Sequence, residues 1–202
     1  LIDNNEVYAI RQEGNAVKVF TRQFICNAKQ VMICVNAYAP HLHPYFVGKV
    51  IPTRAQCLVT DPIREQVLPS CGYSDYGYMY YRQTFDGRLL IGGARNLHRE
   101  LENDTTDDRV TDPVQRSLED YLRKRFPDVA ANIDRRWAGI MGFSVDGLPL
   151  VGTLPEMNNV GFAVGFTGHG LSTGAVIAER AVDMMINGTS PGLVDARRLG
   201  KN

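Results

Sequence analysis

The chain has 202 residues, and its 22 Lys plus Arg balance its 22 Asp plus Glu, so the formal net charge is zero. That balance argues against a nucleic-acid-binding protein, which needs an excess of positive charge to contact phosphates. Hydrophobic residues make up 44% of the chain and charged residues 22%, proportions typical of a globular protein rather than a disordered one. No apolar run is long enough to span a membrane, and the length fits one large domain or two small ones.

Four cysteines, Cys26, Cys34, Cys57 and Cys71, are spread along the chain without a CxxC pair. The four histidines complete no zinc pattern with them, so no metal site is predicted. Because a disulfide framework is uncommon in a chain of this length, we expect a reducing compartment and a cytoplasmic location. Cys34 and Cys57 lie in apolar runs and are predicted to be small buried thiols. The sequence starts with neither Met nor a signal peptide, so we expect it to be part of a longer protein.

Residues 6–35 have the pattern of three strands. Apolar and polar residues alternate in Glu6–Arg11 and again over Val17–Arg22, and Gly14-Asn15 between them is a turn signal. Val31–Val35 is a continuous apolar run of the kind that is buried on both faces of a sheet. It leads into a loop, Asn36–Pro40, and ligands of α/β sheets tend to bind beyond the carboxyl ends of such strands.

The middle of the chain predicts two further strand regions. Residues 49–60 alternate from Arg54 onward, and residues 76–92 read as a hairpin that turns at Asp86-Gly87. One hairpin face would carry four polar or aromatic residues: Tyr76, Tyr78, Tyr80 and Arg82. Such a face could line a pocket for an amine or a carboxylate, but cross-strand aromatic pairing on an exposed face is the more common explanation.

One helix is predicted over 112–126, with Asp112 as its N-cap, Pro113 in its first turn and Gln115 completing a capping box. Pro127 ends it.

The last third contains the strongest local signal. A strand over Trp137–Val145 is followed by a turn at Asp146–Pro149, and a second strand over Val160–Val164 leads into a glycine-rich loop. A helix then runs from Leu171 to about Ile186. Free amides at a helix start favour an anion or a polarised oxygen, although a tight turn that needs glycines only for positive φ explains the pattern equally well. His169, between two glycines, is by itself more typical of a structural residue than of a general base.

Five stretches, in order and in spacing, resemble the FAD-dependent amine and amino-acid oxidoreductases. That family includes D-amino acid oxidase, glycine oxidase, sarcosine oxidase and γ-glutamylputrescine oxidoreductase, and the last branch is the most similar. The matching stretches are Val31–Tyr38, Ile51–Gln56, Tyr80–Gly93, Trp137–Gly152 and Phe162–Ser172. Family members begin with a Rossmann unit that carries a GxGxxG fingerprint, and this chain has no such fingerprint. The resemblance therefore implies the carboxyl-terminal half of such an enzyme, whose partner is the missing Rossmann half.

The resemblance implies non-covalent FAD as the cofactor and assigns residues to it. The glycine loop and helix start would wrap the flavin pyrimidine ring and stabilise negative charge on the reduced flavin. A strand segment would pass beside the reactive edge, the VNAY loop would lie near the nucleotide, and Val7 near the adenine. These cofactor residues are Val7, Asn36, Ala37, Gly139, Ile140, Met141, Phe166, Thr167, Gly168, His169, Gly170 and Leu171. The residues expected to face the substrate are Tyr80, Arg82 and Arg54.

Several anchors of individual family members are absent. Gly139 stands where sarcosine oxidases tether the flavin to a Cys, and Met141 stands at about the position of the carboxylate-binding Arg of glycine and D-amino acid oxidases. Ser172 replaces a Lys of sarcosine oxidases, and Leu90 falls near their oxygen-activating Lys. A simple α-amino acid held by its carboxylate is therefore not the expected substrate. An amine, an N-substituted amino acid or a larger amino compound fits better.

The implied reaction is oxidation of a C–H bond next to a neutral amine, with hydride passing to flavin N5. Two alternatives stay open: a non-catalytic binding module on the same scaffold, and a flavin dehydrogenase that passes electrons to a respiratory acceptor. Because the pyrophosphate fingerprint is missing, we expect this chain alone to hold no tight FAD and to be inactive.

The expected fold class is α+β, with a mainly antiparallel or mixed sheet and packed helices in the substrate domain, plus the final strand and helix of an FAD-binding domain. The predicted segments are 1–40 (end of the FAD-binding domain), 41–136 (substrate-binding domain) and 137–202 (carboxyl-terminal FAD-binding segment).

Overall fold

The computed structural model describes residues 1–200, and the chain divides into two compact units. Unit 1 comprises Leu1–Pro52 and the chain from Met141 onward, and unit 2 comprises Thr53–Ile140. Strands β5 (Val50–Thr60) and β9 (Ile133–Ser144) each contain one of the boundaries. The sheets are antiparallel or mixed and only a few helices pack on them, which confirms the predicted α+β class. Whether the three predicted segments are functional domains stays a prediction.

Unit 1 begins with a three-stranded antiparallel sheet formed by β1 (Val7–Glu13), β2 (Ala16–Thr21) and β3 (Ile25–Ala28). The first two strands are those predicted. The third was missed because its side chains are mostly exposed, so no apolar alternation marks it.

The second sheet of unit 1 has the order β10-β11-β4. β10 (Leu150–Leu154) and β11 (Met157–Val164) form an antiparallel pair, and β4 (Val31–Ile33) lies parallel to β11. The predicted run Val31–Val35 is therefore too long. Cys34 follows the strand and is exposed, so the prediction that it is a buried thiol is wrong.

Both faces of this sheet are covered. Phe162 packs edge-on against Phe46, with ring centroids 5.0 Å apart, near helix α1 (Ala39–Leu42). On the other face Ile177 of helix α4 packs in a cluster with Val151 and Ala163. α4 spans Gly170–Asn187 and ends at Gly188, whose φ of +69° is the left-handed conformation that glycine adopts without strain.

Unit 2 is built on a five-stranded sheet of order β6-β7-β8-β5-β9. β6 (Gly72–Ser74), β7 (Met79–Gln83) and β8 (Leu89–Gly93) are antiparallel neighbours, and β5 is antiparallel to β8. The predicted hairpin is confirmed, but it starts later than expected. Tyr76 lies in a tight turn before β7 and is fully exposed, so the expected four-residue face is reduced to Tyr80 and Arg82.

Helix α3 (Asp112–Arg125) covers one face of that sheet, and a short helix α2 (Arg99–Glu102) precedes it. The N-cap is Thr111 rather than Asp112, and Gln115 closes no capping box because its amide donates to Gln56. The apolar contact joins three helix residues to three strand residues: Val114, Leu118 and Leu122 with Leu58, Leu89 and Ile91.

None of the helices formed by residues 1–200 is both long and apolar enough to cross a lipid bilayer.

Replacing Leu118 by Ala should destabilise the protein by about 2–5 kcal/mol, because the fully buried side chain leaves a cavity between α3 and the sheet. Urea unfolding measures the change. The matched control is Leu97→Ala, since Leu97 is 66% exposed and its truncation should cost less than about 0.5 kcal/mol. Equal losses in the two variants would contradict the packing described.

Candidate functional site

The glycine loop of unit 1, residues 165–169, connects β11 to α4. Gly165, Thr167 and Gly168 have φ values of +72°, +52° and +78°. Glycine adopts such values freely, whereas threonine, with its branched Cβ, adopts them only where neighbouring contacts impose them.

Those contacts come from strand β9. The Thr167 amide donates to the Gly142 carbonyl at 2.8 Å, and the Ser144 amide donates to Thr167 Oγ1 at 3.2 Å. Two hydrogen bonds to the same strand thus hold Thr167 and fix the conformation of the loop.

Asn36 fixes the start of the loop. Its Oδ1 accepts hydrogen bonds from the amides of Gly165 at 2.9 Å and Phe166 at 3.3 Å. The strand passes so close that a Cβ on Gly142 would lie 2.7 Å from this same oxygen and 2.9 Å from the Ala37 nitrogen. The segments after β4 and β11 and the end of β9 therefore meet at one point.

The start of α4 has no side-chain cap. His169 occupies the N-cap position, but its Nδ1–H is directed to the Thr167 carbonyl at 2.8 Å. The Ser172 and Thr173 hydroxyls both donate to the His169 carbonyl. The N–H groups of Gly170 and Leu171 lie at the positive end of the helix dipole. This position is suited to binding a polarised or anionic oxygen.

The other predicted cofactor residues are placed as follows. Ala37 is buried in the turn after β4, and Val7 begins β1 with an exposed side chain. Met141 belongs to unit 1, and its sulfur lies 3.6 Å from where a Cβ on Gly168 would be. Gly139 and Ile140 lie on β9 at the end of unit 2, the glycine exposed and the isoleucine half-buried. The structure thus brings Asn36, Met141 and the loop together.

A second candidate site is a cavity of about 350 Å³ on unit 2, called here the tyrosine pocket. Its residues Cys57, Tyr80 and Leu90 lie on the face of the sheet opposite to α3, because they alternate along their strands with the residues that pack on the helix. Tyr81 is the exception, since it packs on the helix side against Tyr121 and Phe126. Its lining residues are Cys57, Cys71, Gly72, Tyr73, Tyr80, Tyr81, Arg82 and Leu90.

Arg82 is the charged residue of the tyrosine pocket. It is exposed, and no residue among 1–200 forms an ion pair or a hydrogen bond with its guanidinium. Other arginines of unit 2 differ from Arg82 in this respect: Arg88, for example, forms ion pairs with Asp86 and Asp134. A guanidinium without a counter-ion at a pocket is suited to a carboxylate or another anionic group of a ligand.

Tyr80 and Cys57 are both neutral in this pocket. Burial raises the pKa of the Tyr80 hydroxyl far above its ordinary value, and the neighbouring Cys57 raises it further. Burial also raises the pKa of the Cys57 thiol. Near pH 7 the phenol is a hydrogen-bonding group and the thiol is not a nucleophilic thiolate.

Arg54 does not line the tyrosine pocket, in contrast to the expectation that it faces the substrate. It is 3% exposed and lies on the helix-covered face of β5, where its guanidinium binds Glu102, whose side chain is fully buried. Nη2 lies 2.8 Å from Glu102 Oε1, and Nη1 donates to the Asp107 carbonyl at 3.0 Å. Gln56 Nε2 donates to the same carboxylate at 3.0 Å. The protein's own acceptors thus occupy the Arg54 side chain.

Sequence reasoning missed four lining residues of the tyrosine pocket: Cys57, Cys71, Gly72 and Tyr73. Cys57 was detectable, since it alternates with Arg54, Gln56 and Leu58 along β5. The partner of Arg54, Glu102, carried no signal because it lies 48 residues away in an isolated helical turn. Within residues 1–200 no group of three or more His, Cys, Asp or Glu side chains is arranged to hold a metal ion.

Unit 1 has a parallel strand pair that leads into a glycine loop at a helix start, and unit 2 has a polar pocket on a mainly antiparallel sheet. Each of these features is typical of cofactor-dependent enzymes. Comparison with known families agrees with that class. Residues 1–184 match the family described as FAD dependent oxidoreductase, so the chain belongs to this family of flavoproteins.

Two curated relatives support the assignment. The chain is 30% identical over 165 residues to the gamma-glutamylputrescine oxidoreductase of Escherichia coli (strain K12), a match that covers 75% of this chain and 36% of that protein. It is 26% identical over 178 residues to the probable oxidoreductase OrdL of Rhizobium meliloti (strain 1021), covering 85% of this chain and 39% of that one. The chain thus spans well under half the length of these relatives.

A solved structure extends the similarity to the fold. The L-proline dehydrogenase from P. horikoshii superposes with a TM-score of 0.80 at 26% identity, over 96% of this chain and 54% of that one.

Replacing Asn36 by Ala should destabilise unit 1 by about 1–3 kcal/mol, because the Gly165 and Phe166 amides lose their acceptor. Hydrogen exchange at these two amides should accelerate more than the average for α4. Asn36→Asp is the matched control, because it keeps an oxygen at Oδ1 and tolerates the φ of +44°. Unchanged exchange in Asn36→Ala would contradict the role given to Asn36.

Replacing Glu102 by Ala should cost about 3–5 kcal/mol in urea unfolding, because it leaves Arg54 buried without its counter-ion. The control is Glu6→Ala, which removes an exposed ion pair with Arg22 and should cost less than about 1 kcal/mol. If Glu102→Ala and Glu6→Ala were equally mild, Arg54 would not be a structural residue and its assignment to the substrate would be restored.

Proposed function

We propose that the chain is the carboxyl-terminal half of an FAD-dependent oxidoreductase that oxidises a C–H bond next to an amine by hydride transfer to flavin N5. The observation that carries the proposal is the glycine loop, which Asn36 and β9 hold in one conformation in front of an uncapped helix start. The family match and its partial coverage of longer relatives support it.

The glycine loop fits the polar end of a flavin ring. The Gly170 and Leu171 amides would hold a ring carbonyl oxygen, and the helix dipole would stabilise negative charge there. Phe166, Thr167, Gly168 and His169 form the backbone wall, and His169 contributes its backbone because its ring is bonded to the loop. FAD, when bound, supplies the electron-accepting ring.

The tyrosine pocket of unit 2 is the proposed substrate site. Arg82 binds an anionic group of the substrate, and Tyr80 offers a neutral hydroxyl for hydrogen bonding. The apolar sides of the tyrosines and of Leu90 would contact the carbon atoms of the substrate, and contact with an apolar surface favours the neutral amine over the ammonium. Orientation and desolvation supply the catalytic effect, since no group of the pocket is placed as a strong base. We assign Arg54 to the support of the sheet and not to the substrate.

Arg82 narrows the substrate class to amines that also carry an anionic group, such as N-substituted amino acids and larger amino acids. Met141 cannot bind a carboxylate, so a substrate held by Arg82 is anchored at a different place from an α-amino acid in glycine oxidase-like relatives.

A second candidate is a dehydrogenase that delivers electrons to an acceptor other than oxygen. Leu90, at the position where the family resemblance implies an oxygen-activating Lys, lines the tyrosine pocket and brings no positive charge. The similarity to a protein named as a dehydrogenase also supports this candidate.

The proposal is tested on the longest natural polypeptide that contains this chain. We expect it to purify yellow, and anaerobic addition of a suitable amine should bleach the flavin absorbance. Fast turnover of glycine or D-alanine would contradict the substrate class. A colourless protein that binds amines without oxidation would instead support a non-catalytic module. The 202-residue chain alone should retain no stoichiometric FAD.

Replacing Arg82 by Met should raise KM for an anionic amine by about 10- to 100-fold, because a charged hydrogen bond is worth about 1.5–3 kcal/mol. KM for an uncharged amine should change less than about twofold. Steady-state kinetics with the two substrates measures the difference. Arg64→Met is the control, since Arg64 is exposed on the same unit and outside the tyrosine pocket. Equal effects on both substrates would remove Arg82 from anion binding.

A further inference from the structure

One side chain of the tyrosine pocket lies across three strands. Tyr80 on β7 is paired with Gly92 on β8, and Gly92 is paired with Cys57 on β5. The three residues therefore form one row on one face of the sheet. The Tyr80 ring extends along this row, and its hydroxyl oxygen reaches the Cys57 sulfur at 3.4 Å.

Gly92 is required by this arrangement for steric reasons. A Cβ at Gly92 would collide with Cε2 and Cζ of Tyr80 and would lie 2.6 Å from its hydroxyl oxygen. The ring thus rests directly on the backbone of β8. On its outer side Tyr73 packs edge-on, with ring centroids 6.5 Å apart. The Tyr80 ring therefore contacts the Gly92 backbone on one face and Tyr73 at its edge, and its hydroxyl contacts the Cys57 sulfur.

Cys57 cannot act here through a disulfide with Cys71, the other thiol of the pocket. Cys71 precedes Gly72, which pairs with Tyr81 on β7, so β7 and β8 both separate Cys71 from β5. Three strand spacings place the two Cα atoms roughly 14 Å apart, well beyond the reach of a disulfide. The thiol of Cys57 therefore has the Tyr80 hydroxyl as its neighbour for hydrogen bonding.

We propose that Cys57 is a positioning residue that fixes the Tyr80 hydroxyl in the tyrosine pocket, with Gly92 providing the space for the ring. The effect of Cys57 on turnover rests on the proposed function, because it requires that the substrate amine binds in the tyrosine pocket. The positioning itself is a property of unit 2 and is measurable without a substrate.

The first experiment uses the longest natural polypeptide that contains this chain, labelled with 13C at tyrosine Cζ. The Tyr80 resonance is assigned by its loss in Tyr80→Phe. Cys57→Ala should shift or broaden it, whereas Cys57→Ser, which keeps a hydrogen-bonding atom, should restore a single sharp signal near its original position. Cys26→Ala is the control, since Cys26 is exposed on β3 in unit 1. An unchanged Tyr80 signal in Cys57→Ala would overturn the proposal.

The second experiment measures amine oxidation in the longest natural polypeptide that contains the chain. Cys57→Ala should lower kcat/KM by about 5- to 10-fold, the loss expected for one neutral hydrogen bond, and Cys57→Ser should stay within about twofold of wild type. Gly92→Ala should reproduce the loss by displacing the ring. If Gly92→Ala fails to fold, the comparison of Cys57→Ala with Cys57→Ser still tests the proposal.

The outcomes separate the two proposals. A Tyr80 signal that responds to Cys57→Ala in a polypeptide with no amine oxidation would reject the proposed function and support the positioning. A responding signal together with unchanged kcat/KM in an active enzyme would overturn the positioning role in turnover. Loss in Cys57→Ala with recovery in Cys57→Ser supports both.

Discussion

The alternation of side chains along β5 determines which residues of unit 2 stabilise the fold and which line the tyrosine pocket. Neighbouring residues of a strand point to opposite faces, so Gln56 and Cys57 cannot share an environment. The even-numbered residues meet α3 and the buried Glu102, and Cys57 faces the tyrosine pocket. A shift of one residue in the register of β5 would turn Arg54 and Gln56 toward the tyrosine pocket. It would also remove Leu58 from its contact with α3. The polar cluster around Glu102 favours this register, because a one-residue shift would take Arg54 away from its buried counter-ion.

Unit 1 uses a different constraint, the close approach of backbones. Three segments meet where Gly142 has no side chain, and Asn36 occupies the space with an oxygen that binds two amides of the glycine loop. Rigidity of this loop matters for the proposed function, because amides that are already oriented lose no free energy to reorganisation when negative charge develops. The positive φ of Thr167 is a local cost that the hydrogen bonds from β9 offset.

The sequence predicted correctly those elements that have a clear hydrophobic periodicity or a clear turn motif. The helix over 112–126, the hairpin at Asp86-Gly87 and the strand, loop and helix over 160–186 are confirmed within a few residues. It failed where burial depends on distant neighbours. The exposed strand β3 has no apolar pattern, and Cys34, which lies within an apolar run, is exposed because β4 stops at Ile33. The sequence suggested the face with Tyr80 and Arg82 as a possible pocket, but the pairing of Cys57 with Tyr80 was beyond prediction. These two residues are neighbours only through the register of β5, β8 and β7.

Arg54 and Arg82 show why residue type alone does not locate a site. Both were expected to face the substrate, and both lie on strands of the same sheet. Glu102 neutralises Arg54 in the interior, where an unpaired guanidinium would be costly, so this arginine has no donor left for a ligand. Arg82 is exposed, where water stabilises its charge and no protein carboxylate within residues 1–200 competes for it. A carboxylate arriving with a substrate can therefore bind Arg82 without breaking an internal ion pair. The charge balance of each arginine, rather than its presence in a motif, separates the residue that supports the fold from the residue available to a ligand.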